Sequence, residues 1–209
     1  MNPDEFLDAV RDDNETALSR LGSSKSLYAA TGGEMDADHV LRAAADAEFA
    51  AARTFESWAD TEDHAEAREA FETTADEEDD HYESVLAELG EYDPDGEPSA
   101  MQAHLRGLDS TVERAGGLLG RVLATGKSKE QLTGFFVGQA DPQTAQLFRE
   151  LKGDLGDQRE RALELLDAVC ADDADWDAAK AAADGAIQAA YDEYVDQLES
   201  MGVNPKPVC

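Results

Sequence analysis

The chain has 209 residues, of which 42% are hydrophobic, and its 48 Asp plus Glu outnumber 17 Lys plus Arg to give a net charge of −31. That length supplies one domain with a real core, and the charge repels phosphate backbones and anionic membrane surfaces, so neither nucleic-acid nor membrane binding is expected. No run approaches the roughly 20 apolar residues of a membrane span, and two cysteines, Cys170 and Cys209, make neither a disulfide framework nor a zinc site.

The Ala-, Glu- and Leu-rich texture, without alternating strand patterns, predicts an all-α protein. A first helix is expected over 4–21, followed by a Gly- and Ser-containing connection to residue 35. Second and third helices are expected from Asp36 to Thr61 and from Asp63 to Leu89, the latter stopped by Gly90. Pro94, Gly96 and Pro98 mark a linker. A fourth helix runs from Ser99 to Thr125 with Gly116-Gly117 as a kink point, and residues 128–139 read as a short helix or an ordered loop. Asp141-Pro142 opens a fifth helix ending at Cys170, and a last one covers Asp173 to Met201. Four long amphipathic helices predict a four-helix bundle over 36–170, flanked by an N-terminal helix and connection (1–35) and a C-terminal helix and tail (171–209).

Core positions in a bundle recur at alternating steps of three and four. On the second helix they read Leu41, Ala44, Glu48, Ala51, Phe55, Trp58, and on the third Phe71, Thr74, Glu78, His81, Val85. Glu48, Glu78 and His81 thus fall on apolar stripes at matching depth. A carboxylate in a core costs several kcal/mol unless compensated, and the simplest compensation is a metal ion. Carboxylates with one imidazole suit iron or manganese.

The stretches Ala47-Glu48-Phe49-Ala50-Ala51-Ala52-Arg53-Thr54-Phe55-Glu56-Ser57-Trp58-Ala59 and Phe71-Glu72-Thr73-Thr74-Ala75-Asp76-Glu77-Glu78-Asp79-Asp80-His81 resemble rubrerythrins of the ferritin-like superfamily. The resemblance covers 36–90 and implies a ferritin-like bundle that binds iron or manganese. Glu48 matches the family's first-helix ligand, and Glu78 with His81 its Glu-x-x-His. It implies a cytoplasmic oxidoreductase that reduces peroxide or oxidises iron, using an external electron donor because no rubredoxin-like Cys-x-x-Cys pair is present. A homo-oligomer is a further expectation.

The second half departs from the family. The fourth-helix stripe Met101, Leu105, Leu108, Val112, Ala115, Leu119, Val122 is apolar, with Glu113 one position away. On the fifth helix Leu155 and Gln158 stand where Glu and His are expected, and Asp154 and Asp157 would need a rotated helix. Three arrangements remain open. One metal could sit on Glu48, Glu78 and His81 with Gln158, Glu113 or water; two chains could complete one site; or the metal is lost and a hydrogen-bonded Glu–His cluster remains. In the last case the chain is a metal-free helical module for oligomerisation, partner docking or small-ligand binding.

His39 and His64 read as surface residues, His104 as one that can reach inward, Tyr82 as packing, Cys170 as an ordinary thiol, and Cys209 as a terminal thiol able to reach a partner. Met1-Asn2-Pro3-Asp4-Glu5 lacks the basic and apolar regions of a signal peptide, so a cytoplasmic location is expected. The acidity itself resembles that of salt-in haloarchaeal proteins, in which molar salt shortens the Debye length to about 3 Å and removes most self-repulsion. An unusually acidic mesophile surface is the alternative.

Overall fold

A computed structural model describes residues 1–94 and 97–206. Among these, nine helices and no strand occur: α1 (Pro3–Asp13), α2 (Glu15–Leu21), α3 (Ser24–Ala30), α4 (Ala37–Thr61), α5 (Ala65–Leu89), α6 (Ala100–Arg106), α7 (Thr111–Gly138), α8 (Pro142–Val169) and α9 (Asp173–Ser200). The protein is all-α, and none of these helices is long and apolar enough to cross a membrane.

Local chemistry sets the boundaries. Asp36, Asp141 and Asp172 accept hydrogen bonds from backbone N–H groups in the first turns of α4, α8 and α9, and Pro142 begins α8. Ser110 and Glu113 form a reciprocal capping box at the start of α7. Gly90, at φ 91°, ends α5 in a conformation that a side chain disfavours.

Four expected elements are corrected. The single helix over 4–21 is broken at Asn14, whose side-chain amide donates to Val10 O at 2.8 Å and to Asp184 Oδ1 of α9 at 2.7 Å. The connection before residue 35 contains α3. The fourth helix divides into α6 and α7 at Gly107–Ser110, and residues 128–139, expected as a separate short helix or loop, continue α7 to Gly138. Ser110 starts a new helix by satisfying orphan N–H groups, a polar signal that the apolar stripe does not carry.

α4 lies along α5, α7 lies along both α8 and α9, and α5 contacts α8. The short α1–α3 segments pack against α7, α8 and α9. Phe55, Trp58 and Phe71 form an edge-on aromatic group with centroids 5.1–5.3 Å apart at one end of the α4–α5 pair. Phe136 and Phe148 stack at 5.5 Å in a second core that also holds Val40, Leu41 and Val85. The charged cluster described below lies between these two apolar groups in sequence depth.

Gly116 and Gly120 do not interrupt α7. They bring its backbone against α9: a Cβ on Gly116 would overlap the carbonyl oxygen of Ala179, and one on Gly120 that of Ala183. Gly134, also in α7, has no atom within 4 Å of its would-be Cβ. Gly116→Ala should therefore destabilise by about 1–3 kcal/mol through overpacking. Gly134→Ala should stabilise by about 0.5–1 kcal/mol through helix propensity. Denaturant unfolding of the two variants checks this opposite sign.

Candidate functional site: a buried charge cluster

The stripes of α4 and α5 point inward as their periodicity dictates. Glu48 is 2% exposed, Glu78 0% and His81 3%. One ligand-type atom from each lies within 4.8 Å of the others. The expected gathering of these three residues is therefore present.

What compensates them is the chain itself. Arg121 of α7 lies over Glu78 as a fork: Nη1 donates to Oε1 at 2.7 Å and Nη2 donates to Oε2. The same Nη1 donates to Gln158 Oε1 at 2.9 Å, and Gln158 Nε2 donates to Glu78 Oε1 at 2.6 Å. Lys129, two turns further along α7, donates from Nζ to Glu48 Oε1 at 2.7 Å. Its Nζ is also 3.4 Å from His81 Nδ1, and His81 Nε2 faces Asp154 Oδ2 of α8 at 3.1 Å. Both cationic side chains are 1% exposed. Two carboxylates thus meet two basic side chains, and His81 faces the Asp154 carboxylate, so three basic groups stand against three acidic ones without a further ion.

Electrostatics follow from this geometry. Burial pushes the Glu78 carboxyl toward its neutral form, but the Arg121 charge and the surrounding donors outweigh it and hold the group well below the usual carboxylate range. Burial opposes protonation of His81 too, yet the Glu48 and Glu78 carboxylates, at 3.7 and 3.8 Å from Nδ1, outweigh it and raise the pKa to about 9. The Arg121 guanidinium also sits 5.6 Å from the Phe55 ring centroid, a cation–π contact.

A resident iron or manganese ion requires carboxylate and imidazole lone pairs directed at one point. Both Glu78 oxygens and one Glu48 oxygen already accept from cationic donors, and the Lys129 ammonium stands between Glu48 and His81. The donor set present does not fit a resident metal. Gln158 is in the cluster, but as a hydrogen-bond bridge between Arg121 and Glu78. Glu113 is outside it, its carboxylate accepting from the Ser110 backbone N–H at 3.0 Å and hydroxyl at 2.7 Å. One off-stripe position on α7 turns a side chain away from the core.

Asp154 needs no rotated helix to take part; its carboxylate reaches His81 from a half-exposed position. Arg121 and Lys129 are the residues the stripe reading did not find. Lys129 carried a signal: seven residues beyond Val122 and followed by buried Leu132 and Phe136, it continues the apolar stripe once α7 is extended. Arg121 adjoins that stripe, and no spacing rule distinguishes it from a surface arginine.

The other singled-out residues have ordinary surroundings. His39 pairs with Asp36 on the surface and His64 caps α5 by accepting from Ala67 N–H. His104 reaches inward to the Ala182 carbonyl at 3.3 Å, and Tyr82 packs on Phe49. Burial raises the Cys170 thiol to about 11, which keeps it protonated. Cys209 lies outside the described residues.

Set against protein-family models, curated proteins and solved structures, the chain gives no match.

Removing one member of a buried ion pair strands the other. Arg121→Met should cost about 3–5 kcal/mol, and adding Glu78→Met should recover much of that loss. Chemical unfolding of the single and double variants measures it; equal losses in both would show that the pair is not what holds this region.

Proposed function

We propose that this chain is a rubrerythrin-related, ferritin-like bundle in which Arg121 and Lys129 have taken over the compensating role of a metal, leaving a metal-independent helical module that binds a small ligand. The observation that carries this reading is the Lys129 ammonium, 2.7 Å from Glu48 and 3.4 Å from His81, in the space between the resemblance-implied ligands. The ferritin-like assignment draws support from the 47–59 and 71–81 stretches and from the pairing of α4 with α5 and of α7 with α8. The metal-free reading draws support from the charge balance: Arg121, Lys129 and His81 already face Glu48, Glu78 and Asp154, and a divalent ion would add positive charge to that set.

Within this reading each residue keeps a physical task. Arg121 and Gln158 tie α7 and α8 to α5 through Glu78, while Lys129 ties α7 to α4 through Glu48. Buried pairs of this kind are close to neutral in net stability. Their role is to fix which helix faces meet.

A metal-dependent oxidoreductase acting on peroxide or iron is the second reading. It has one specific observation behind it: Glu48 Oε2 is buried without a hydrogen-bond partner beside His81 and Glu78. It requires Lys129 to withdraw from Glu48 and an external electron donor to serve the iron or manganese.

Metal analysis and thermal melting separate the two. Protein purified in high salt should carry iron and manganese only at background, and its melting temperature should not change with chelator. Lys129→Glu should acquire a manganese-dependent rise in melting temperature, because it replaces the internal cation by a ligand. Stoichiometric metal in the unaltered chain, lost on Glu78→Ala or His81→Ala, would overturn the metal-free reading.

A further inference from the structure

A cavity of about 650 Å³ lies where α1 and α2 meet the α7–α8 pair. Its apolar wall comes from Leu18 of α2, Val122 and Leu123 of α7 and Leu155 of α8. Gly126 of α7 and Gly153 and Gly156 of α8 line it as well. Glycine is a poor helix former, and packing within the chain does not ask for it here. A Cβ on Gly153 or Gly156 would meet nothing within 4 Å, and one on Gly126 would meet only Leu155 Cδ1 at 3.9 Å. These positions therefore differ from Gly116 and Gly120, and their bare backbone widens the cavity.

The charge of this wall is opposite in sign to that of the chain. Arg11, Lys127, Lys152 and Arg159 stand against Glu15 and Glu130, so four basic and two acidic side chains leave two positive charges, in a chain of net charge −31. Glu130 serves both lysines, lying 2.7 Å from Lys152 Nζ and 3.9 Å from Lys127 Nζ. Arg11 and Arg159, by contrast, make no ion pair and no side-chain hydrogen bond among the described residues. Guanidinium groups bind phosphate oxygens through paired N–H donors. The chain's net charge repels an anion from afar, but molar salt confines that field to about 3 Å. Contact with the unpaired arginines then decides which ligand is held.

We propose that this cavity binds a phosphate monoester carrying a compact apolar group. Its phosphoryl oxygens accept from the Arg11 and Arg159 guanidinium groups, and its nearly two negative charges at neutral pH match the excess of the wall. Its apolar group lies against Leu18, Val122, Leu123 and Leu155 in the width that the glycines leave. The proposal names a ligand for the small-ligand module inferred above and rests on that part of the reading alone; it draws on no residue of the Glu48 cluster.

Calorimetric titration of the full chain with alpha-naphthyl phosphate tests this, in the lowest salt at which the chain keeps its helix content. The comparison ligands are alpha-naphthol (no anion), alpha-naphthoate (one negative charge), alpha-naphthylmethylamine (a cation) and inorganic phosphate (no apolar group). The site predicts saturable one-to-one binding of the naphthyl phosphate and weaker binding of naphthoate. Naphthol and inorganic phosphate should each bind at least about tenfold more weakly, through loss of the charged hydrogen bonds or of the apolar contact, and the amine should not bind. Arg11→Gln combined with Arg159→Gln should weaken binding by about tenfold, the combined worth of two solvent-screened charge contacts. Arg68→Gln, at an exposed and likewise unpaired arginine of α5, should leave binding unchanged. Gly156→Leu should abolish binding while the chain keeps or gains stability, because leucine fills the cavity and favours helix; Gly153→Leu repeats the test should that variant not fold. Absence of saturable binding, equal binding of any comparison ligand, an Arg68→Gln effect as large as that of the arginine pair, or binding that survives both leucine variants overturns the assignment. Metal content is measured separately, so failure of the naphthyl phosphate to bind a metal-free chain removes this ligand and leaves the metal-free reading in place.

Discussion

Carboxylates enclosed by helices must meet positive charge, and in this protein the positive charge comes from α7. Glu48 and Glu78 sit on otherwise apolar stripes, where desolvation of either alone would cost several kcal/mol. Arg121 and Lys129 remove that cost by hydrogen bonding as well as by charge, and Gln158 takes up the remaining capacity of Glu78. Once these pairs are set, the relative placement of four long helices is fixed, because sliding α7 by one turn would leave four charges buried and unpaired.

The same constraint explains features distant from the cluster. α7 must run unbroken past Thr125 to deliver Lys129, and it does so through residues whose side chains are small or absent on the α9 face. Gly116 and Gly120 allow α9 to approach its backbone, so the helix that carries the cations is also held by α9. His81 adds a further link between α5 and α8, its Nε2 facing Asp154 while its Nδ1 lies 3.7 and 3.8 Å from the Glu48 and Glu78 carboxylates. In a chain of net charge −31, a lysine and an arginine are thus withdrawn from the surface, where they would have offset repulsion, and placed inside.

Much of this architecture is legible in the amino-acid sequence. The three-four spacing of Leu41 to Trp58 and of Phe71 to Val85 identifies two inward faces, and every one of those positions is buried. The gathering of Glu48, Glu78 and His81 follows from that spacing. Their partners do not, for a physical reason: periodicity reports which side chains avoid water, and long basic side chains are ordinarily solvent-facing. Ending the fourth helix near Thr125 compounds this, because Lys129 then lies in the stretch read as a short helix or an ordered loop rather than on the apolar stripe. The breaks at Asn14 and Ser110 were hidden likewise, since they depend on side-chain hydrogen bonds and not on apolar pattern. A resemblance confined to residues 36–90 describes the helices that supply the acids and is silent about α7.

The most direct test of this account is a crystal structure of the protein grown with excess manganese, with anomalous scattering recorded at the cluster. The account predicts no anomalous peak among Glu48, Glu78 and His81, with Lys129 Nζ at hydrogen-bonding distance from Glu48. A manganese peak at that position, with the lysine turned away from Glu48, would contradict it.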